Sequence, residues 1–90
     1  MIYRGRVLGV GFRYVTRQLA DRFSVTGSVQ DLHDGSVRLL VEGDSHELDR
    51  FLMAIDRAMK DYIASREATV LAYQGDFDDF TIRSTGEGGD

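Results

Sequence analysis

The chain has 90 residues, no cysteine and a formal net charge of −4. A chain of this length is one domain with an economical core, since it buries roughly 60–65% of the surface that its unfolded form exposes. The composition excludes disulfides, thiolate metal sites and a cysteine nucleophile, and its acidic balance argues against a nucleic-acid partner.

Taken in order, Ile2 to Val7 is short, partly β-branched and strand-like, and it runs into a loop bearing Gly9 and Gly11. From Phe12 the period changes, because Phe12, Val15, Leu19 and Phe23 recur at helical spacing. Val25 to Asp31 alternates, with Val25, Gly27, Val29 and Asp31 on one side and Thr26, Ser28 and Gln30 on the other. Asp34-Gly35 signals a tight hairpin, and Val37, Leu39 and Val41 give the returning strand its inward face.

A second helix is expected after Gly43. Asp44 caps it, and Glu47 is placed three residues on to reach back as in a capping box. Leu48, Phe51, Leu52, Ile55 and Met59 then form an amphipathic stripe that needs a sheet to lie on. Arg66 to Tyr73 and Phe77 to Ile82 read as later strands, and residues 86–90 as a disordered glycine-rich tail. The domain therefore spans residues 1–85. Its βαββαβ order predicts an α+β, ferredoxin-like sandwich: a mostly antiparallel sheet of four to five strands with two helices on one face. No apolar run approaches the ~20 residues of a membrane span, and the N-terminus lacks a signal-peptide pattern, so a soluble, cytoplasmic protein is expected.

Many functions share this plan, so function must come from a site. The informative segment is Leu8-Gly9-Val10-Gly11-Phe12-Arg13, where a strand ends, two glycines let the backbone turn, and a helix begins with an arginine in its first turn. The first amides of a helix lack intrahelical partners and lie at the positive end of its dipole. Glycines let the preceding amides curl into the same space, and an arginine fork grips two phosphate oxygens at once. Alone, such a loop is more often just a tight connection, and its arginine a solvated side chain. Charge distribution adds to it: the first 22 residues hold five arginines against the single acid Asp21.

Gly9-Val10-Gly11-Phe12-Arg13 reproduces the G-V-G-F-R signature of acylphosphatases, in the place where that family carries it. Gly27-Ser28-Val29-Gln30-Asp31 with Asp34-Gly35 is similar to the family's G-W-V-x-N…D-G segment, and Val41-Glu42-Gly43 and Phe80-Thr81-Ile82 also fit. The resemblance implies hydrolysis of small acyl phosphates to carboxylate and inorganic phosphate, without metal or organic cofactor; a monomer is the expected state, though the sequence itself does not reveal it. It makes Arg13 the phosphate-binding catalytic arginine and Leu8 through Phe12 the cradle. Positioning and charge stabilisation supply most of the acceleration in such chemistry, since a carboxylate leaves readily.

Three positions depart from the family's usual pattern: Leu8 for glutamine, Ser28 for tryptophan, and Asp31 for the asparagine that positions the attacking water. An ionised aspartate accepts hydrogen bonds but donates none, so Asp31 still orients a water. At roughly 5 Å and an effective dielectric near 20 its charge repels a phosphate charge by about 3 kcal/mol, a hundredfold in rate. Two readings follow: an acylphosphatase with Arg13 and Asp31 as catalytic residues, or a slow or non-catalytic module that binds phosphate. An RNA-binding sheet would need aromatics that residues 36–42 lack, and a metal chaperone a C-x-x-C pair. His33 and His46 have no third ligand at metal spacing.

Overall fold

A computed structural model describes residues 1–69 and 78–83. The elements are β1 (Ile2–Gly5), α1 (Phe12–Ala20), β2 (Val25–Asp31), β3 (Val37–Gly43), α2 (Ser45–Ala58), β4 (Ile63–Glu67) and β5 (Phe80–Arg83). They build a five-stranded sheet in the order β4-β1-β3-β2-β5. Three neighbouring pairs are antiparallel, and β5 lies parallel to β2. The ferredoxin-like α+β plan is as the element order implies, with the fifth strand present at the β2 edge.

Register fixes which residues share a face. Asp31 pairs with Val37, Val37 with Tyr3, and Tyr3 with Arg66, a row that crosses four strands. Residues opposite one another in paired strands project from the same side of the sheet. Val29 and Leu39 are the next rank of that same face. The two helices touch each other and both touch β2. Tyr3, Phe12, Val29, Val37, Leu39, Phe51 and Ile55 are all buried in the resulting core. Each large side chain removed completely from water contributes roughly 1.5–3 kcal/mol, so Phe51 and Ile55 alone anchor α2 firmly. Rings reinforce the packing: Phe51 meets Phe80 edge-on with centroids 5.7 Å apart.

Several local expectations need correction. In α1 the buried stripe is Phe12, Thr16 and Ala20; Val15 and Leu19 are only partly buried, and Phe23 lies beyond the helix. Small residues face the sheet because they let the helix approach it closely. Asp44 caps α2 as expected, accepting from the His46 and Glu47 amides at 2.8 and 3.4 Å. Glu47, however, does not close a capping box: its Oε1 accepts from the Ser24 amide at 2.8 Å, tying α2 to the start of β2. The strand expected at Arg66–Tyr73 begins earlier, at Ile63, and residues 70–73 of that expectation lie outside the described residues. The last strand is Phe80–Arg83, and the tail at 86–90 also lies outside the described residues.

Candidate active site

Between β1 and α1 the chain turns through residues 6–11. Gly9 (φ 74°) and Gly11 (φ 80°) hold the left-handed conformation that L side chains rarely adopt. A Cβ at either would meet open space, so the backbone angle, not crowding, requires glycine there. Gly11 is also the N-cap of α1. It has no side chain to cap the helix, so the first-turn amides keep their donors for another acceptor. Two left-handed glycines before a helix start with no side-chain cap leave backbone N–H groups near the positive end of the helix dipole.

The loop is held from below and from one side. Phe12 sends its ring into the core, 5.0 Å from the Tyr3 ring, so its contribution to the loop is its backbone. The Arg6 amide donates to the Tyr62 carbonyl oxygen at 2.8 Å, fixing the loop's first residue against the chain before β4. Leu8, by contrast, is exposed at 44%.

Arg13 and Asp31 come together across the helix–sheet boundary, with Arg13 Nε 3.3 Å from Asp31 Oδ1. Strand alternation places Asp31 on the helix-covered face, and Arg13 leaves the first turn of α1 directly above it. Asp31's neighbour Gln30 faces the other way, where its Oε1 accepts from Arg38 Nη2 at 2.9 Å. A guanidinium that meets a carboxylate through Nε still presents its Nη1/Nη2 edge as a second fork. The same contact offsets the negative charge of Asp31 beside the loop.

The hairpin after β2 keeps Asp31 in place. Leu32 donates to the Ser36 carbonyl oxygen at 2.8 Å, and Gly35 to that of Leu32 at 3.1 Å. The Asp34 carboxylate accepts from the Ser36 hydroxyl and, at 3.0 Å, from the Ser36 amide. The Ser36 hydroxyl, then its amide, hold the Asp34 carboxyl below its usual range, with help from Arg4. Arg4 bridges Asp34 and Glu67 at 3.5 and 3.3 Å, and Arg17 is bound to Asp21 at 2.6 Å. The local excess of arginine is thus partly neutralised away from the loop.

Sequence reasoning located the loop and Asp31, and the structure brings them to one edge of the domain. It did not find the Arg13–Asp31 ion pair, although strand parity and the helix start already aimed the two side chains at each other. Nor did it find a shallow depression beside the loop and the β2–β3 hairpin, lined by Gly5, Arg6, Leu8, Val10, Gly35 and Tyr62. Neither Arg13 nor Asp31 lines that depression. Among the described residues, no group of three or more His, Asp or Glu side chains is placed to hold a metal ion.

The sequence pattern of the acylphosphatase family matches residues 1–82. An acylphosphatase of Thermotoga maritima is 37% identical over 79 residues, 88% of this chain and 88% of its own length. The crystal structure of acylphosphatase from Bacillus subtilis superposes with a TM-score of 0.81 at 30% identity, covering 91% of this chain and 92% of that one. The same fold lies within T. kodakarensis HypF, with a TM-score of 0.79 at 25% identity over 92% of this chain but 11% of that longer one. The chain belongs to the acylphosphatase family.

Proposed function

We propose that this acylphosphatase hydrolyses the carboxyl–phosphate bond of small acyl phosphates at the Leu8–Arg13 loop, with Arg13 and Asp31 as its catalytic residues. The observation that carries this reading is the approach of Arg13 Nε to within 3.3 Å of Asp31 Oδ1 beside the two left-handed glycines. The amides of Gly9 through Phe12 and the Arg13 guanidinium receive the phosphoryl oxygens. Asp31 accepts a hydrogen bond from a water and aims its oxygen at phosphorus. The water oxygen bonds to phosphorus as the bond to the acyl oxygen breaks, and the bonding pair leaves with the carboxylate. Both water hydrogens end on the products, carboxylate and dihydrogen phosphate, so no external acid is required. Charge that spreads over the phosphoryl oxygens meets donors already in place, which costs no reorganisation.

The Arg13 contact gives Asp31 a reason to stand where the family more often has asparagine. Paired with a guanidinium, the carboxylate presents less net charge to an incoming anion. The protein works as a cytoplasmic monomer on acyl phosphate, with neither nucleic acid nor membrane as a partner and with no cofactor. Its cysteine-free, acidic composition supports this placement. No helix among the described residues is long and apolar enough to cross a membrane. Phosphate release from acetyl phosphate, measured with wild type and Arg13→Ala, tests the reading. Turnover in the wild type and its loss in the variant are expected; no wild-type turnover from acidic to neutral pH overturns it.

A further inference from the structure

The face of the sheet turned away from the core carries a row that crosses all five strands: Glu67, Ile2, Arg38, Gln30 and Arg83. Partners in register project from one side of the sheet, so these five share the face opposite to Tyr3, Val29 and Val37. The middle of the row is dry and its flanks are charged. Gln30 is only 8% exposed, while Arg38 on one side of it and Arg83 on the other are both exposed. Arg38 leans across β2 and donates from Nη2 to Gln30 Oε1 at 2.9 Å, which turns its guanidinium towards the strand that bears Arg83. Two strand spacings put the Cα atoms of these arginines about 10 Å apart, within reach of both side chains for one small ligand.

Charge points to what that ligand is. Gln30 is a neutral acceptor, so Arg38 keeps its full charge, and among the described residues neither Arg38 nor Arg83 is in an ion pair. Acids on this side of the sheet are placed elsewhere. Glu67, beyond Ile2, and Asp34, in the hairpin, are both held by Arg4, and Glu42 lies opposite Thr26, two ranks away. The next rank, Leu40, Ser28 and Thr81, brings neither a charge nor an aromatic ring on which a base would stack. Two guanidinium groups flanking one buried amide repel each other, and an anion seated between them reverses the sign of that interaction. One fork satisfies a carboxylate, whereas a tetrahedral oxyanion has oxygens for both. We propose that Arg38 and Arg83, standing over Gln30, form a second binding site that takes inorganic phosphate. Asp31, the next residue along β2, faces the helices, so the strand separates this site from the Leu8–Arg13 loop. The site rests on register and charge and is independent of the hydrolytic reading.

The test titrates Arg13→Ala, whose loop lacks its arginine, with inorganic phosphate at constant ionic strength and follows it by heteronuclear NMR. Saturable shifts are expected in the Gln30 side-chain amide and in the backbone amides of Arg38 and Arg83. Arg83→Gln in the same background is expected to raise the dissociation constant about tenfold. Both arginines are exposed, so the substitution leaves the core intact. Shifts confined to the loop, shifts that grow without saturating or that chloride reproduces, or an affinity unmoved by Arg83→Gln overturn the site. Turnover of acetyl phosphate is expected to be the same in wild type and Arg83→Gln. A wild type without turnover whose Gln30, Arg38 and Arg83 signals still saturate overturns the hydrolytic reading and upholds this site.

Discussion

Arg13 Nε and Asp31 Oδ1 stand 3.3 Å apart, joining the first turn of α1 to the last residue of β2. The pair is partly exposed, with 36% and 20% of the two side chains accessible, so as a bond it adds little to stability. Its consequence is positional: each side chain is held at the loop by the other, in the register that Asp31 shares with Val37 and Tyr3.

Arg13→Ala is expected to lower kcat/KM for acetyl phosphate by about 10²–10³, the loss typical of removing one preorganised donor from a transition-state oxyanion. Arg13→Lys recovers only part of this, since an ammonium keeps the charge but not the planar fork. Thermal denaturation should move little in either variant. Steady-state assays beside circular-dichroism melts check both statements.

Substitutions at Asp31 separate orientation of water from repulsion of substrate. Asp31→Ala removes the acceptor and should lower kcat by about 10²-fold, an effect of positioning lost. Asp31→Asn keeps a polar group and deletes the charge. It is expected to tighten inorganic phosphate as a competitive inhibitor by about tenfold, because one charge repelling the anion is gone. Inhibition constants and kcat measured on both variants check the division; unchanged phosphate affinity in Asp31→Asn contradicts it.

Much of this site was legible because its parts are local. The loop announces itself through Gly9 and Gly11, and Asp31's face follows from counting by twos along β2. What was not legible depends on contacts distant in sequence or on an absent pattern. β4 reads Ile-Ala-Ser-Arg-Glu, and only Ile63 is better than exposed, so this edge strand carries no alternation that marks its start. Glu47 meets the Ser24 amide, 23 residues away, in place of the local partner that helix-capping rules suggest. In α1, Thr16 and Ala20 are buried by proximity to the sheet, which hydrophobicity alone does not rank. Even Phe12, part of the signature, is in the core by its ring and in the loop only by its backbone.

Gly11→Ala tests the loop's conformation without adding a clash, since an added Cβ meets nothing within 4 Å. At φ 80° the L-residue is strained by about 1–2 kcal/mol. The chain either bears that cost or relaxes the turn, and relaxation points the Phe12 and Arg13 amides away from the anion. The expected result is a modest fall in melting temperature with a larger fall in phosphate affinity. Parallel melts with and without phosphate read both, and a fall in stability alone would place the anion elsewhere.

Tyr3 makes the stability of the fold depend on alkaline pH. Its side chain is fully buried, and among the described residues its hydroxyl has no hydrogen-bond partner in good geometry. Burial first, and then the charge of Asp56, push its pKa from 10.0 up to about 12, against the opposing pull of Arg66. Arg66 is near enough to favour the phenolate, but it is engaged with Asp56 at 2.8 Å. The folded state therefore favours the neutral phenol. Below pH 10 both folded and unfolded chains carry it neutral; as pH rises from 10 towards about 12 the unfolded chain ionises first, and stability falls. The ceiling on this loss is roughly 2–3 kcal/mol. Tyr3→Phe removes a hydroxyl that lies near Arg66 without a well-aligned hydrogen bond, so at neutral pH it should cost little. Between about pH 10 and 11.5 the variant should lose less melting temperature than wild type. Identical pH dependence in the two proteins would mean that Tyr3 ionises no differently in the folded chain than in the unfolded one.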